Sequence, residues 1–152
     1  MIQKEILHKL MRYCDYQDRC HQEVRTKLLQ LKIYGQDLEE VMAELISTDY
    51  LNEERFATSY ARGKYRIKGW GRIKIRQGLK SKRISDYSIR KGLQEIEKEG
   101  GYQDTLLNHL TKYRDQRKNK YDKRLLQQKT YAHGVSKGYE SALISEVIQE
   151  LF

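Results

Sequence analysis

Basic side chains in the middle of the sequence have the composition of a surface that binds phosphate groups. Between Arg62 and Lys91, twelve Lys and Arg residues accompany a single acid, Asp86. Tyr65 and Trp70 lie within this run, and aromatic rings among cations are typical of proteins that bind nucleic-acid strands by charge and stacking. The residues that we expect to contact a polyanion, including a second basic cluster after residue 114, are Arg62, Lys64, Arg66, Lys68, Trp70, Arg72, Lys74, Arg76, Lys80, Lys82, Arg83, Arg117, Lys118, Lys120, Lys123 and Arg124.

Helical spacing places part of this charge on one face. In a helix that begins near Arg72, the basic positions 72, 76, 80 and 83 share one side, while Ile75 and Leu79 lie on the side that faces the core. The alternative interpretation is an ordinary solvated helix face, although such faces usually carry charges of both signs. The excess of bases favours contact with a polyanion or an acidic partner.

Residues that could support catalysis or bind a metal are scattered, and we expect neither activity. The four histidines occur at positions 8, 21, 109 and 133 without a zinc-binding spacing. Cys14 and Cys20 are six residues apart, which favours one core-facing cysteine and one near a helix cap. Asp15, Asp18 and Glu23 lack the glycine and alternating acids of a calcium loop, so we interpret them as capping residues. The sequence therefore predicts no catalytic residue, no metal site and no cofactor.

Composition predicts an all-α fold. The 152 residues include no proline, 38% hydrophobic residues and 12 tyrosines, with a net charge of +9. Disorder is disfavoured because the apolar residues recur at helical spacing, as do Leu38, Val41, Met42 and Leu45. No apolar run approaches 18 residues, and charged residues interrupt the N-terminal segment, which is not typical of a signal peptide. These features predict a cytoplasmic protein without a membrane span.

An internal repeat predicts three tandem three-helix units in an elongated, curved array, with boundaries at 1–51, 52–103 and 104–152. A shift of 51 residues superposes six apolar pairs: Val24 on Ile75, Leu28 on Leu79, Ile33 on Ile84, Leu38 on Ile89, Met42 on Leu93 and Leu45 on Ile96. Asn52 is the predicted N-cap of the fourth helix, and Gly35 is predicted to end the second helix. The shift becomes 55 in the last helix, which predicts four extra residues in a loop between Ser136 and Tyr139. The units differ in charge, because the first is slightly acidic and the second strongly basic.

The second repeat resembles the signature of RecX regulatory proteins. The resemblance rests on the segment DYLNEERFA at 49–57, followed by YAR at 60–62, KGWGRIKIRQGL at 68–79 and LKSKRI at 79–84. It extends over nearly the whole chain, because three tandem three-helix repeats are also the architecture of that family. Cys20 departs from the pattern, since the family often has a serine cap at this position.

The resemblance implies a regulator of DNA recombination, DNA repair and the SOS response. Such proteins bind in the groove of the filament that the RecA recombinase forms on single-stranded DNA. They inhibit its ATP hydrolysis, co-protease activity and strand exchange. The implied partners are the RecA filament, single-stranded DNA and, weakly and without sequence preference, duplex DNA. The implied regulator is a monomer, has no catalytic residue and does not bind a membrane.

Two other functions are compatible with a helical basic chain. A helix pair joined by a short turn suits a freestanding helix-turn-helix transcription regulator, which reads base edges in the major groove. An α-helical solenoid adaptor without a role in nucleic-acid binding is the other alternative. Preference for one duplex sequence would favour the first, and absence of DNA binding at low salt would favour the second.

Overall fold

Nine α-helices and no strand form in the computed structural model, which describes residues 3–152. The helices are α1 (Lys4–Tyr16), α2 (His21–Gln30), α3 (Gly35–Ser47), α4 (Glu53–Lys68), α5 (Arg72–Ser81), α6 (Asp86–Glu99), α7 (Tyr102–Arg117), α8 (Lys123–Ser136) and α9 (Ser141–Leu151). The predicted all-α fold is confirmed. In the part of the chain that the structure describes, no helix is long and apolar enough to cross a membrane.

The most extensive helix contacts lie within three successive triplets, α1–α3, α4–α6 and α7–α9. Each triplet has a cluster of buried apolar side chains at its centre. Leu10, Leu28 and Leu45 are fully buried in the first, and Ile75 and Leu79 in the second. Burial of these stripes provides most of the driving force for helix packing, because short helices are marginally stable alone.

Local capping interactions determine where the helices of the second triplet begin. The Asn52 side chain accepts a hydrogen bond of 2.9 Å from the Arg55 amide, which confirms the predicted N-cap of α4. Ser85 caps α6, and its own amide and hydroxyl donate to the Glu53 carboxylate. The first residue of α4 is thereby tied to the start of α6, and the two helices run side by side.

A left-handed residue follows the second helix of every triplet. The φ angles are +63° at Lys32, +60° at Arg83 and +92° at Gly138. In each case the next residue donates an amide hydrogen bond of 3.0 to 3.3 Å to a carbonyl near the helix end. The prediction that Gly35 ends α2 is wrong, because Lys32 has that role and Gly35 is the first residue of α3. This left-handed turn occurs directly after the last helical turn, where backbone carbonyls without helical partners need hydrogen-bond donors.

The four extra residues of the third triplet lie inside a helix. Helices α2 and α5 have 10 residues each, whereas α8 has 14, so the predicted loop insertion between Ser136 and Tyr139 is wrong. Four residues add about one helical turn, which keeps the buried stripe in phase. Leu126, Thr130 and Gly134 continue that stripe, and the turn at Gly138 retains the geometry of its counterparts.

Candidate nucleic-acid interface

Two of the predicted binding arginines are paired with acids on α6. Arg62 contacts Glu95 at 3.1 Å, and one turn further along α4, Arg66 contacts Glu99 at 2.6 Å. Hydrogen bonding to Lys98 and to Arg62 lowers the pKa of Glu95, so this carboxylate is held ionised. The acids of α6 lie beyond Lys91, which is why a charge count over residues 62–91 missed them.

Arg72 is part of a polar network between the second and third triplets. Its Nε lies 2.8 Å from Glu140, its Nη1 lies 3.3 Å from Glu97, and its guanidinium lies 4.3 Å from the ring centre of Tyr102. The Tyr102 hydroxyl donates to Glu140 at 2.6 Å and accepts from the Arg72 amide at 2.9 Å. Burial, followed by the hydrogen bond to Glu140, raises the pKa of Tyr102. The structure therefore gives Arg72 internal partners.

Further along the same face, Arg76 and Lys80 are exposed to solvent. The prediction that Arg83 shares this face is wrong, because α5 ends at Ser81 and Arg83 lies in the left-handed turn that follows it. Arg83 is exposed in that turn, and we refer to Arg76, Lys80 and Arg83 together as the α5 row. None of these three side chains forms an ion pair with the residues that the structure describes. Arg76 lines a groove between α5 and α6 together with Arg90. Unpaired exposed cations in a row can neutralise successive phosphates, which favours binding by release of counterions.

Trp70 lies on the other side of α5, in the tryptophan cluster of Tyr60, Lys64, Trp70 and Lys74. The Lys74 Nζ is 4.5 Å and the Lys64 Nζ is 4.8 Å from the Trp70 ring centre. The ring centres of Tyr60 and Trp70 are 6.4 Å apart in an edge-on arrangement. Burial raises the pKa of this tyrosine. The two like-charged ammonium groups lie on one indole, an arrangement that an anion between them would stabilise.

The remaining predicted residues are distributed over several surfaces. Lys68 is exposed at the end of α4, and Lys82 is half-buried in a cleft beside His21 of α2. Arg117 lies 3.9 Å from the ring centre of Tyr113, and Arg124 lines a groove between α8 and α9. The predicted residues Lys118, Lys120 and Lys123 are exposed in the loop and helix start that follow Arg117. The predicted set is therefore divided among several faces.

One basic residue that sequence reasoning missed lies against the predicted set. The Lys137 Nζ donates a hydrogen bond of 2.9 Å to the Lys68 carbonyl, and the Lys74 Nζ donates to the Ser136 carbonyl at 3.3 Å. Lys137 stands alone in the sequence, without neighbouring bases that would have drawn attention to it. Its position in the segment that the repeat predicts to be an inserted loop is the one feature of the sequence that distinguishes it.

The cysteines and acids near α2 have structural roles. Cys14 and Cys20 are both buried, and burial raises the pKa of Cys14 to about 11. Asp18 lies 3.1 Å from Arg55 and accepts from Ser59, so the interpretation of Asp18 as a capping residue is wrong. Cys20 occupies the N-cap position of α2. Asp18 instead joins the first and second triplets through these two contacts. Among residues 3–152, no group of three or more His, Cys, Asp or Glu side chains could hold a metal ion.

Comparisons with known proteins agree with this architecture. The family model described as RecX, second three-helix domain, matches residues 52–93. The crystal structure of RecX from Lactobacillus salivarius superposes with a TM-score of 0.83 at 26% identity, covering 97% of this chain and 94% of that one. A regulatory protein RecX from Bacillus mycoides is 30% identical over 99% of this chain. These similarities support the assignment of the chain to the RecX family.

Members of the RecX family differ in length. This chain spans 54%, about half, of the Bacillus mycoides relative, but 94% of a Prosthecochloris aestuarii relative that is 22% identical. A second crystal structure of a regulatory protein RecX superposes with a TM-score of 0.84 at 21% identity and shares the fold. The resemblance drawn from the second repeat is thus confirmed, and the named relatives are regulatory proteins.

Proposed function

We propose that this chain regulates DNA recombination and repair by binding the RecA filament on single-stranded DNA. In this proposal it acts as a monomer in the cytoplasm, without a cofactor or catalytic residue, and inhibits RecA ATP hydrolysis, co-protease activity and strand exchange. Similarity to the RecX family supports the choice of partner. The observation that supports a nucleoprotein contact is the α5 row, whose cations remain exposed and unpaired while neighbouring arginines are paired.

Three triplets in sequence suit a filament, because an array of units can contact more than one subunit of a repeating assembly. We propose that the units are those predicted from the repeat, 1–51, 52–103 and 104–152. The first has an excess of acids and the second an excess of bases. The first unit then contacts protein, and the second contacts the nucleic acid within the filament.

The helix-turn-helix alternative places α6 in a major groove, as the second helix of a pair. The acids Glu95, Glu97 and Glu99 lie along α6 and form ion pairs with arginines of α4 and α5. Carboxylates on a recognition helix are repelled by the phosphates that line the groove. The acids of α6 therefore disfavour a duplex operator, whereas the exposed cations of the α5 row remain available to the filament.

The decisive experiment adds the purified chain to RecA that is hydrolysing ATP on single-stranded DNA. We expect ATP hydrolysis to fall as the chain approaches stoichiometry with RecA. No change at excess protein would refute the proposal. Binding to one duplex sequence in preference to others, at near-physiological salt, would instead support the transcription regulator.

A charge-reversal variant tests the α5 row. We expect R76E/K80E/R83E to lose at least tenfold in inhibitory potency, because three unpaired cations become anions that repel phosphate. The matched control is K4E/K9E/R12E, which reverses three exposed charges on α1. Arg72 is left intact, since its reversal would also break the contacts with Glu97 and Glu140. Equal inhibition by both variants would show that the α5 row is not the binding face.

A further inference from the structure

The junction between the second and third triplets brings together bases that are distant in the sequence. Gly71 donates its amide to the Lys137 carbonyl at 2.7 Å, and Ile73 donates to Gly138 at 2.9 Å. The Tyr139 hydroxyl donates to the Gly69 carbonyl at 3.0 Å in a buried contact. The turn after α8 is therefore fixed against the loop that carries Trp70.

This contact places Lys137 beside the tryptophan cluster. Its ammonium group is bound to the Lys68 carbonyl, while the ammonium group of Lys74 reaches back to Ser136. Lys64 and Lys74 both lie within 5 Å of the Trp70 ring centre. Four lysines from two triplets thus surround one short loop, residues 69–71.

Beyond Lys137, the positive charge continues onto α7. A side chain at Gly69 would collide with the imidazole of His109, which shows how closely α7 approaches this loop. Lys112 and Lys137 both act electrostatically on His109, and Lys137 and Arg117 both act on His133. His133 stacks on Tyr113 at 4.3 Å, and the Arg117 guanidinium lies 3.9 Å from the same tyrosine ring centre. Bases and rings therefore alternate from α4 to the end of α7.

Carboxylates do not neutralise these bases in the described structure. Neither an ion pair nor a hydrogen bond joins an Asp or Glu to any of Lys64, Lys68, Lys74, Lys112, Lys137 and Arg117. On the opposite side of the same junction, Glu140 and Glu97 pair with Arg72. The two sides of the junction thus differ in charge.

We propose that Lys64, Lys68, Lys74, Lys112, Lys137 and Arg117 form one binding track, the junction track, for the phosphodiester backbone of single-stranded nucleic acid. The inference rests on the proposed function in that the chain acts on nucleoprotein, and it assigns to the strand a second surface in addition to the α5 row. A flexible single strand suits this surface because its bases can turn toward aromatic rings while its phosphates follow the cations. The track also joins the two basic clusters that are separate in the sequence.

Direct binding to a fluorescent poly-dT oligonucleotide, measured by anisotropy over a range of salt concentrations, tests the junction track in the full chain. We expect K112A/K137A to bind about tenfold more weakly near 0.1 M salt, with a salt slope lower by about 1.4, because two phosphate contacts are lost. The control K4A/K9A removes two exposed lysines of α1 and should bind as the unaltered chain does. K137R should also retain binding, because it keeps the charge.

Three outcomes separate this inference from the proposed function. Loss of oligonucleotide binding in K112A/K137A, with an unchanged melting temperature, supports the junction track. Unchanged binding and slope in that variant would overturn it, even if the R76E/K80E/R83E variant no longer inhibits RecA. Failure of the unaltered chain to bind the oligonucleotide at low salt would also overturn it, while inhibition of RecA would still support the proposed function.

Discussion

Arg72 and Arg76 carry the same charge on the same helix, one turn apart, but their surroundings differ. Arg72 contacts Glu97, Glu140 and the Tyr102 ring, whereas Arg76 is exposed and without an ion pair. The helical spacing correctly predicted that both lie on one side of α5. It did not predict the partners of Arg72, because Glu140 is distant in the sequence and is brought close only by the packing of the third triplet.

At the residue scale, alanine substitution of the two arginines distinguishes their roles. We expect Arg72→Ala to lower the free energy of unfolding by about 1–2 kcal/mol, because it removes the ion pairs with Glu97 and with the half-buried Glu140 together with the contact with the Tyr102 ring. Arg76→Ala, the matched control, should change it by less than about 0.5 kcal/mol. Urea denaturation followed by circular dichroism measures both. Equal effects would contradict a structural role confined to Arg72.

At the element scale, the most regular feature is the left-handed turn after the second helix of each triplet. The residue in this conformation is Lys32, Arg83 or Gly138, and only the third is a glycine. A residue with a side chain pays about 1 kcal/mol or more for this conformation. Gly138 is needed for a second reason, since a Cβ there would strike the side chain and backbone of Lys74.

Substitution at this turn should have opposite effects in two triplets. We expect Lys32→Gly to raise the free energy of unfolding by up to about 1 kcal/mol, because glycine relieves the strain of the left-handed backbone. Gly138→Ala should lower it by about 2 kcal/mol, because strain is added to the collision with Lys74. Thermal melting of both variants tests the pair. A Gly138→Ala variant that melts at the temperature of the unaltered chain would show that the junction accommodates the added side chain without loss of stability.

How much of the structure could be predicted from the sequence also depends on the element concerned. The stripe of Ile75 and Leu79 and the Asn52 cap are local patterns, and both are present in the structure. The extra turn of α8 was misplaced because four residues shift a repeat equally in a helix or in a loop. The pairing of Arg62 with Glu95 was missed because it depends on helix packing. The unit boundaries and the nucleic-acid contacts stay predictions.

At the scale of the whole molecule, the two triplet junctions differ in character. The first and second triplets meet through half-buried polar groups such as Asp18 and Arg55, and through Cys20, which is buried in the core cluster of the second triplet. The second and third meet through a buried tyrosine hydroxyl and backbone hydrogen bonds. The third triplet also places His109 and His133 near this junction, where burial is the main cause that lowers the pKa of each, followed by Lys137.

These histidines predict a pH dependence for the stability of the whole chain. Because the folded state favours neutral imidazoles, the unfolded state binds more protons below the ordinary histidine pKa of about 6.5. The charges that act on them are those of Lys112, Lys137 and Arg117, which are all positive. We therefore expect the free energy of unfolding to fall as pH is lowered from 7.5 to 5.5.

The double variant H109Q/H133Q measures the contribution of the two imidazoles to this pH dependence. It should show a smaller fall than the unaltered chain in urea denaturation at both pH values, because glutamine does not titrate. An H8Q variant, altered at an exposed histidine of α1, is the control. If the double variant loses as much stability as the control, the histidines do not cause the pH dependence.

The ion pairs between α4 and α6 have a consequence for association kinetics. They leave the uncompensated positive charge on α5 and at the junction with the third triplet, while the first triplet has an excess of acids, so the molecule has an electric dipole moment as well as a net charge. A polyanion exerts a torque on such a dipole before the two touch, so the cationic side turns toward it during diffusional approach. The association rate with a filament should then fall steeply with ionic strength, while the dissociation rate changes little.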